Sequence, residues 1–319
     1  MHILGKDSRF GPAEMNGDER AELLAWDTGA IIPPESYERL RADPNYPGAV
    51  RWLARTMLET ADADPALHGI FKDAGRKVAA LCTALLHGSG GITLPRLKEL
   101  MAKLHLASPG RARALLIYMR YLGFVELRQV RAAGSPAVYL PTAKFQRTYA
   151  AHLRQVVEAT AWIAPAAARV AVAFDEPAAV AIFVRHLTQG FLNSTAQGHD
   201  VDNYFEIFSH RHAGTQILNQ LVSQAPGDSF PPEGKIPFVA ATAARRFRVS
   251  RVHVRRLFRA GEQAGLIQFD EGAVCFSDAG RDMIEWVYAT KMIVYLGAVA
   301  RTFRDVADTM ATGKDGIAA

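Results

Sequence analysis

At 319 residues, 49% of them hydrophobic and 22% charged, the chain is long enough for two domains with cores of their own and lies outside the range of disordered sequences. Its net charge of +5 is local in origin, since with the seven arginines between 245 and 259 set aside 30 basic residues face 32 acidic ones. Two cysteines, Cys82 and Cys275, with no CxxC spacing, support neither a disulfide framework nor a zinc site, and they fit a reducing cytoplasm.

Residues 1–29 are polar, Gly-rich and without the apolar core of a signal peptide, so they are expected to form a flexible or loosely docked N-terminal tail, with Trp26 available to anchor its end. Helical patterns follow over 33–40 and 47–59, and a longer one over 65–86 ends at Gly88-Ser89-Gly90-Gly91. The 94–104 stretch is amphipathic. Ser108 then offers an N-cap with Pro109 at the first helical position, for a helix that stops at Gly123. Segments 124–128 and 138–140 flank a Gly/Pro-containing turn and read as a hairpin, after which Thr142 opens another helix.

His199, Asp200, Asp202, His210 and His212 are the one cluster of metal-ligand residue types. His210 and His212, two apart, point in different directions on a helix, so ordinary polar surface is the preferred reading and no metal is expected. Aromatic residues such as Trp52, Trp162, Phe183, Phe191, Phe205, Phe208, Trp286 and Tyr288 are candidates to line an effector pocket, with core packing as their other use.

The 238–247 segment reads as a short helix, joined by a tight connection at 248–250 to a second helix over 251–264 that Ser250 caps and Gly265 stops. At about 100° per residue, Val254, Leu257, Phe258, Gly261 and Ala264 share one face, and Arg251, Arg255, Arg256 and Arg259 gather opposite. A hairpin follows, with strands at 266–269 and 273–276 around Asp270-Glu271-Gly272, and Ser277-Asp278 opens a further helix. Within that helix 292–300 is the most membrane-like run, too short to span, so no membrane partner is expected. The chain has no Walker loop, no G-x-S-x-G and no H-E-x-x-H, and neither enzymatic activity nor a cofactor is expected.

The block from Ser250 to Ile267 with its Gly265-Leu266-Ile267 exit, and the Phe276-Ser277-Asp278-Ala279-Gly280 junction, resemble winged-helix transcription regulators, most closely the MarR-like group. The resemblance implies a second helix that enters a DNA major groove and a hairpin wing that touches the backbone or minor groove. On that reading Arg251, Arg255 and Arg259 face the bases, Arg245, Arg246, Arg248 and Arg256 take flanking phosphates, Ser250 caps the reading helix, and His253 lies within the interface. Arginine outnumbers lysine 28 to 9, which suits such contacts and is equally what a GC-rich genome encodes.

The same order of elements occurs twice. Ser108 to Gly123 and Ser250 to Gly265 align at an offset of 142, with Arg113 opposite Arg255, Leu115 opposite Leu257, Leu116 opposite Phe258, and Phe124-Val125 opposite Leu266-Ile267. Upstream, Gly69-Ile70-Phe71 sits opposite Glu206-Ile207-Phe208, and Pro47 to Val50 opposite Pro177 to Val180, as in a tandem duplication. The expected architecture is mainly α with small β-hairpin wings. Residues 1–29 form a tail, 30–160 and 161–310 two winged helix-turn-helix repeats arranged as an intramolecular pseudo-dimer, and 311–319 a C-terminal tail.

The repeats differ in their charges. The first hairpin is longer and carries Arg128 and Arg131, where the second has Asp270 and Glu271. The first recognition-like helix, with Arg111 near its start, places Arg113, Ile117 and Arg120 where the second has Arg255, Arg259 and Glu262, so its grip on DNA should be weaker. MarR-like proteins bind as homodimers, and two unlike copies in one chain imply an imperfect inverted repeat or an asymmetric site. The function expected is sequence-specific binding of double-stranded DNA by a cytoplasmic transcription regulator, monomeric or homodimeric, with room for a small-molecule effector. The alternative is a tandem winged-helix scaffold of a chromosome-organising or polymerase-associated complex, its arginines on an acidic partner. Single-strand or RNA binding is weaker still, because only Phe247 and Phe258 lie beside the arginines and Phe258 falls on the apolar face.

Overall fold

A computed structural model describes residues 17–29, 31–103, 109–128, 135–195, 202–270 and 272–314. The chain is mainly helical with two small antiparallel sheets. It begins with α1 (Gly17–Leu24), which ends the expectation of a loose tail for this part of the N-terminus: Leu23 and Trp26 are buried, and Asp27 accepts hydrogen bonds from Arg301 (3.0 Å) and Arg304 (2.6 Å). Residues 1–16 of the expected tail lie outside the described residues.

Helices α2 (Pro34–Ala42) and α3 (Tyr46–Ala63) follow as the sequence suggests. The single helix expected over 65–86 is two, α4 (Pro65–Ile70) and α5 (Ala74–His87). Asp73 interrupts it: its backbone is extended (φ −155°, ψ 164°) and its carboxylate accepts the Arg76 amide at 3.0 Å, so the second helix starts anew on its own cap. Then come β1 (Ile92–Thr93), α6 (Leu94–Lys103), α7 (Pro109–Tyr121), β2 (Val125–Leu127), β3 (Val138–Pro141) and α8 (Ala143–Thr160). Ser108, the expected cap of α7, lies outside the described residues.

After α9 (Ala167–Ala173), the long α10 (Pro177–Thr195) and α11 (Asp202–Tyr204), which runs into a π-helical turn over Phe205–Ser209, the earlier order returns. It reads α12 (Gly214–Gln224), β4 (Ile236–Phe238), α13 (Ala240–Arg246), α14 (Arg251–Gln263), β5 (Ile267–Asp270), β6 (Gly272–Phe276) and α15 (Asp278–Lys314). Phe238 is thus a strand residue, not the start of a helix. Ile236 and Phe238 are buried on alternate positions and pair with Val274 and Gly272, a demand of the sheet that overrides the local helical pattern.

The two runs match below the level of element order. Each sheet places its first strand beside its third, as β1-β3-β2 and β4-β6-β5, all antiparallel. Gly123 and Gly265 leave α7 and α14 with φ of 67° and 69°, the left-handed region a glycine enters without strain. Thr142 and Ser277 then perform one task. Each hydroxyl donates to the glycine carbonyl (2.7 and 2.6 Å), each amide donates to the carbonyl of the next residue, Phe124 (3.0 Å) or Leu266 (3.1 Å), and each hydroxyl oxygen accepts an amide three residues on, from Phe145 (3.2 Å) or Gly280 (3.0 Å).

Packing crosses between the runs. Helix α3, before the first run, lies on α12 of the second, while α10, before the second, lies on α5 of the first and along α15. One continuous apolar cluster fills both halves, and Phe183, Phe208 and Tyr288 are part of it. Across the seam the Ala213 amide donates to the Lys72 carbonyl (2.7 Å), Tyr37 meets Thr290 (3.0 Å) and Arg41 pairs with Glu285 (2.6 Å). The apolar part of α15 is longer than the sequence reading allowed: Asp278–Val306 is long and apolar enough to cross a membrane, but 78% of its apolar window is buried inside this core. The helix also continues through the start of the expected C-terminal tail.

Two lysines are half-buried against this core. Burial pushes the Lys77 ammonium down to about 7, with the Lys291 charge adding to the shift, and pushes Lys291 down to about 8. In the unfolded chain both return to the ordinary lysine range. From about 7 up to about 10.5 the unfolded state therefore binds more protons and these groups make stability rise with pH, while below about 7 their cost is constant. Lys77→Met is expected to be more stable than wild type near neutral pH, with the difference shrinking toward pH ~10. Urea midpoints of the two proteins at several pH values check this, and parallel curves would refute it.

Candidate nucleic-acid interface

Helix α14 starts on Ser250, whose extended backbone (φ −76°, ψ 153°) and hydroxyl accepting the His253 amide at 3.0 Å form the expected N-cap. Its apolar face is locked. Val254, Leu257, Phe258 and Gly261 are buried, Phe258 stacks on Phe269 (4.6 Å between centroids) and meets Phe238 edge-on (4.8 Å). A Cβ on Gly261 would sit 2.8 Å from the Ile267 side chain, which shows how closely β5 lies against the helix. Ser250→Ala is expected to cost about 1 kcal/mol by orphaning the first-turn amide, read from equilibrium urea unfolding, with a loss under about 0.3 kcal/mol counting against the cap.

With one face fixed, the opposite face must be presented outward. Arg251, Arg255, Arg256 and Arg259 are all exposed, and among the described residues Arg251, Arg256 and Arg259 have no carboxylate partner. Arg245 is exposed and donates to the Thr242 hydroxyl (3.4 Å). Arg248 is exposed in the turn between α13 and α14, where its φ of 53° is left-handed.

Other expected contacts are occupied within the protein. Arg246 is half-buried and holds Asp62 of α3 at 2.7 Å, a strut across the seam. His253 Nε2 lies 2.7 Å from the His212 carbonyl, so its ring is turned toward the neighbouring segment. Arg111, its counterpart in α7, pairs with the buried Asp73 at 2.9 Å. The sequence shows positive charge but not these acceptors, which are distant in the chain.

In the first run Arg113, Arg120 and Arg128 are exposed, with the Arg120 guanidinium 5.6 Å from the Tyr139 ring. Arg131 lies outside the described residues, as do His199, Asp200 and Glu271. The outward side of α7 is partly apolar, with Ile117 56% and Tyr121 84% exposed. Where α7 has Arg120, α14 has Glu262, whose carboxylate accepts the Phe269 amide at 3.0 Å and so serves its own hairpin.

His212 lies 3.4 Å from Asp73, and burial holds its pKa below the ordinary range while Asp73 opposes that shift. Among the described residues no three His, Cys, Asp or Glu side chains are gathered to hold a metal ion. Cys82 is buried, its thiol pushed up to about 12 by desolvation, and is unreactive for that reason.

The sequence reading missed a group of cations beside the α13–α14 turn. Lys72, Arg76 and Lys144 come from the first run and meet Arg248 of the second around one cleft. No local motif marks them, because they converge only through the packing of the two runs. No family model, curated protein or solved structure matches this chain.

Proposed function

We propose that the protein is a sequence-specific double-stranded DNA-binding transcription regulator acting in the cytoplasm, built from two winged helices set as a pseudo-dimer within one chain. The observation that carries this reading is the two-faced α14: a capped helix with one side fixed on a sheet and the other offering exposed arginines one turn apart. Such a helix fits a major groove, where guanidinium forks read guanine edges and bind phosphates. Arg251, Arg255 and Arg259 are assigned to the groove, and Arg245, Arg248 and Arg256 to flanking phosphates. Arg113, Arg120 and Arg128 offer a thinner contact from the other half. The repeated strand order and the matching Thr142 and Ser277 junctions support the assignment of two related units.

Selection of the purified protein on sheared genomic DNA at about 0.15 M salt, where nonspecific binding is already weakened, tests the proposal. Enrichment of a few fragments that share a split, imperfectly symmetric motif is the expected result. Flat enrichment would sink it. A scaffold reading draws on a separate observation, the exposed Ile117, Tyr121 and Leu127 of the first unit, which suit a protein surface better than a phosphate backbone; it predicts no sequence preference.

A further inference from the structure

A cleft of about 510 Å³ opens between α4, the C-terminal half of α7, the start of α8 and the α13–α14 turn, within the size range of small-molecule sites. Its wall is cationic. Lys72 lies 3.3 Å from the Arg248 carbonyl, Arg76 donates to the Gly69 carbonyl at 3.1 Å, Lys144 donates to the Leu122 carbonyl at 2.9 Å, and Arg248 has no carboxylate partner among the described residues.

The nearby acids do not cancel this charge. Asp64 caps α4 through the Ala66 amide (2.7 Å), and the buried Asp73 is shared among Arg76, Arg111 and His212. His68, 4% exposed, lines the same cleft, and its Nε2 has no hydrogen-bond partner among the described residues. Burial first, then the charges of Arg248 and Lys72, hold the His68 ring below its ordinary pKa; burial, then Arg76 and Arg248, do the same to Lys72. Asp73 opposes the shift of Lys72 and Asp62 that of His68, but each of these carboxylates already serves other cations.

One rim is aromatic. Tyr118 and Tyr121 lie nearly parallel, 6.4 Å apart at 23°, with Arg76 4.7 Å from the Tyr118 ring and the Tyr121 ring open to solvent.

We propose that this cleft binds a phosphate-bearing aromatic small molecule of mononucleotide size. Its phosphoryl oxygens lie on Lys72 and Arg248, flanked by Arg76 and Lys144, and its ring stacks on Tyr121. A phosphoryl group supplies up to two negative charges and three acceptor oxygens, which several convergent cations satisfy better than one carboxylate would. An exposed tyrosine face accepts any base without demanding a particular one. The assignment does not require α14 to read DNA, but it takes Arg248 from the flanking DNA phosphates to the cleft.

The test is calorimetric titration of the full chain with ADP, GDP and UDP, with pyrophosphate, with adenosine and with a short DNA duplex, in wild type, Lys72→Gln and Tyr121→Ala. At least one nucleotide is expected to bind tightly, and adenosine at least tenfold more weakly. Lys72→Gln should weaken nucleotide and pyrophosphate about tenfold, whereas Tyr121→Ala should weaken the nucleotide about tenfold and leave pyrophosphate unchanged. Tyr121 is a surface residue, and thermal melting confirms that each variant is folded. Absence of binding by all three nucleotides at millimolar concentration overturns the proposal, as does binding that both variants leave unchanged. If the variants weaken the duplex while no free nucleotide binds, the cleft holds nucleic-acid backbone and the small-molecule assignment falls.

Discussion

The double variant Arg255→Ala, Arg259→Ala is expected to bind its selected duplex about a hundredfold more weakly than wild type, with the loss larger on the selected sequence than on a scrambled one. Both effects follow from the geometry of α14. The two guanidiniums lie one turn apart on the exposed face, opposite the buried Val254, Leu257 and Phe258. Alanine is the better helix former, so the helix survives and what is lost is contact. Each bidentate contact to a base is worth about 1–3 kcal/mol of discrimination, whereas a salt slope lowered by about 0.9 per residue would mark a phosphate contact instead. Fluorescence anisotropy on the selected duplex and on a scrambled one, across several salt concentrations, separates the two contributions. Equal losses on both duplexes would reduce these residues to charge neutralisers, and no loss on either would remove α14 from the interface.

The second large effect concerns stability. Gly280→Ala is expected to destabilise the protein by about 3 kcal/mol, with Gly110→Ala as a neutral or slightly stabilising control. A Cβ at Gly280 would stand 1.9 Å from the Leu266 carbonyl oxygen, and that carbonyl cannot retreat because it accepts the Ser277 amide at 3.1 Å. Helix α15 would have to lift from the exit of α14, loosening the hairpin that holds the arginine face in place. At Gly110 nothing lies within 4 Å of the added carbon. Urea unfolding of both variants measures the contrast; similar midpoints would mean that α15 and the α14 exit are not so tightly joined.

What the sequence disclosed and what it withheld divide along physical lines. Helix α14 was legible because its apolar and charged residues alternate at the helical period and both ends carry their own signals, Ser250 and Gly265. Thr142 and Ser277 announced the helices after each hairpin for the same reason. Strands β1 and β4 were not legible. Two or three residues give no period, and Pro237 speaks against a strand; both exist because β3 and β6 offer them an edge to pair with. The break at Asp73 was hidden inside an apolar pattern that continues on both sides of it. In the candidate interface, the exposed arginines of α14 lie as read, while the engagement of Arg246 by Asp62 and of Arg111 by Asp73 depends on residues far away in the chain. The cationic cleft is the extreme case, since its walls come from helices that only the packing of the two runs brings together.

The crossed packing, with α3 on α12 and α10 on α5, has a consequence for how the two halves change over time. Identical subunits that associate from solution part on dilution, exchange partners, and express every substitution twice. Two halves on one polypeptide do none of these. Their mutual concentration is set by the chain and not by the amount of protein present, and a substitution made in one half stays there. Ile117 can stand on one side while Arg259 stands on the other, so the surfaces of the two halves are free to diverge.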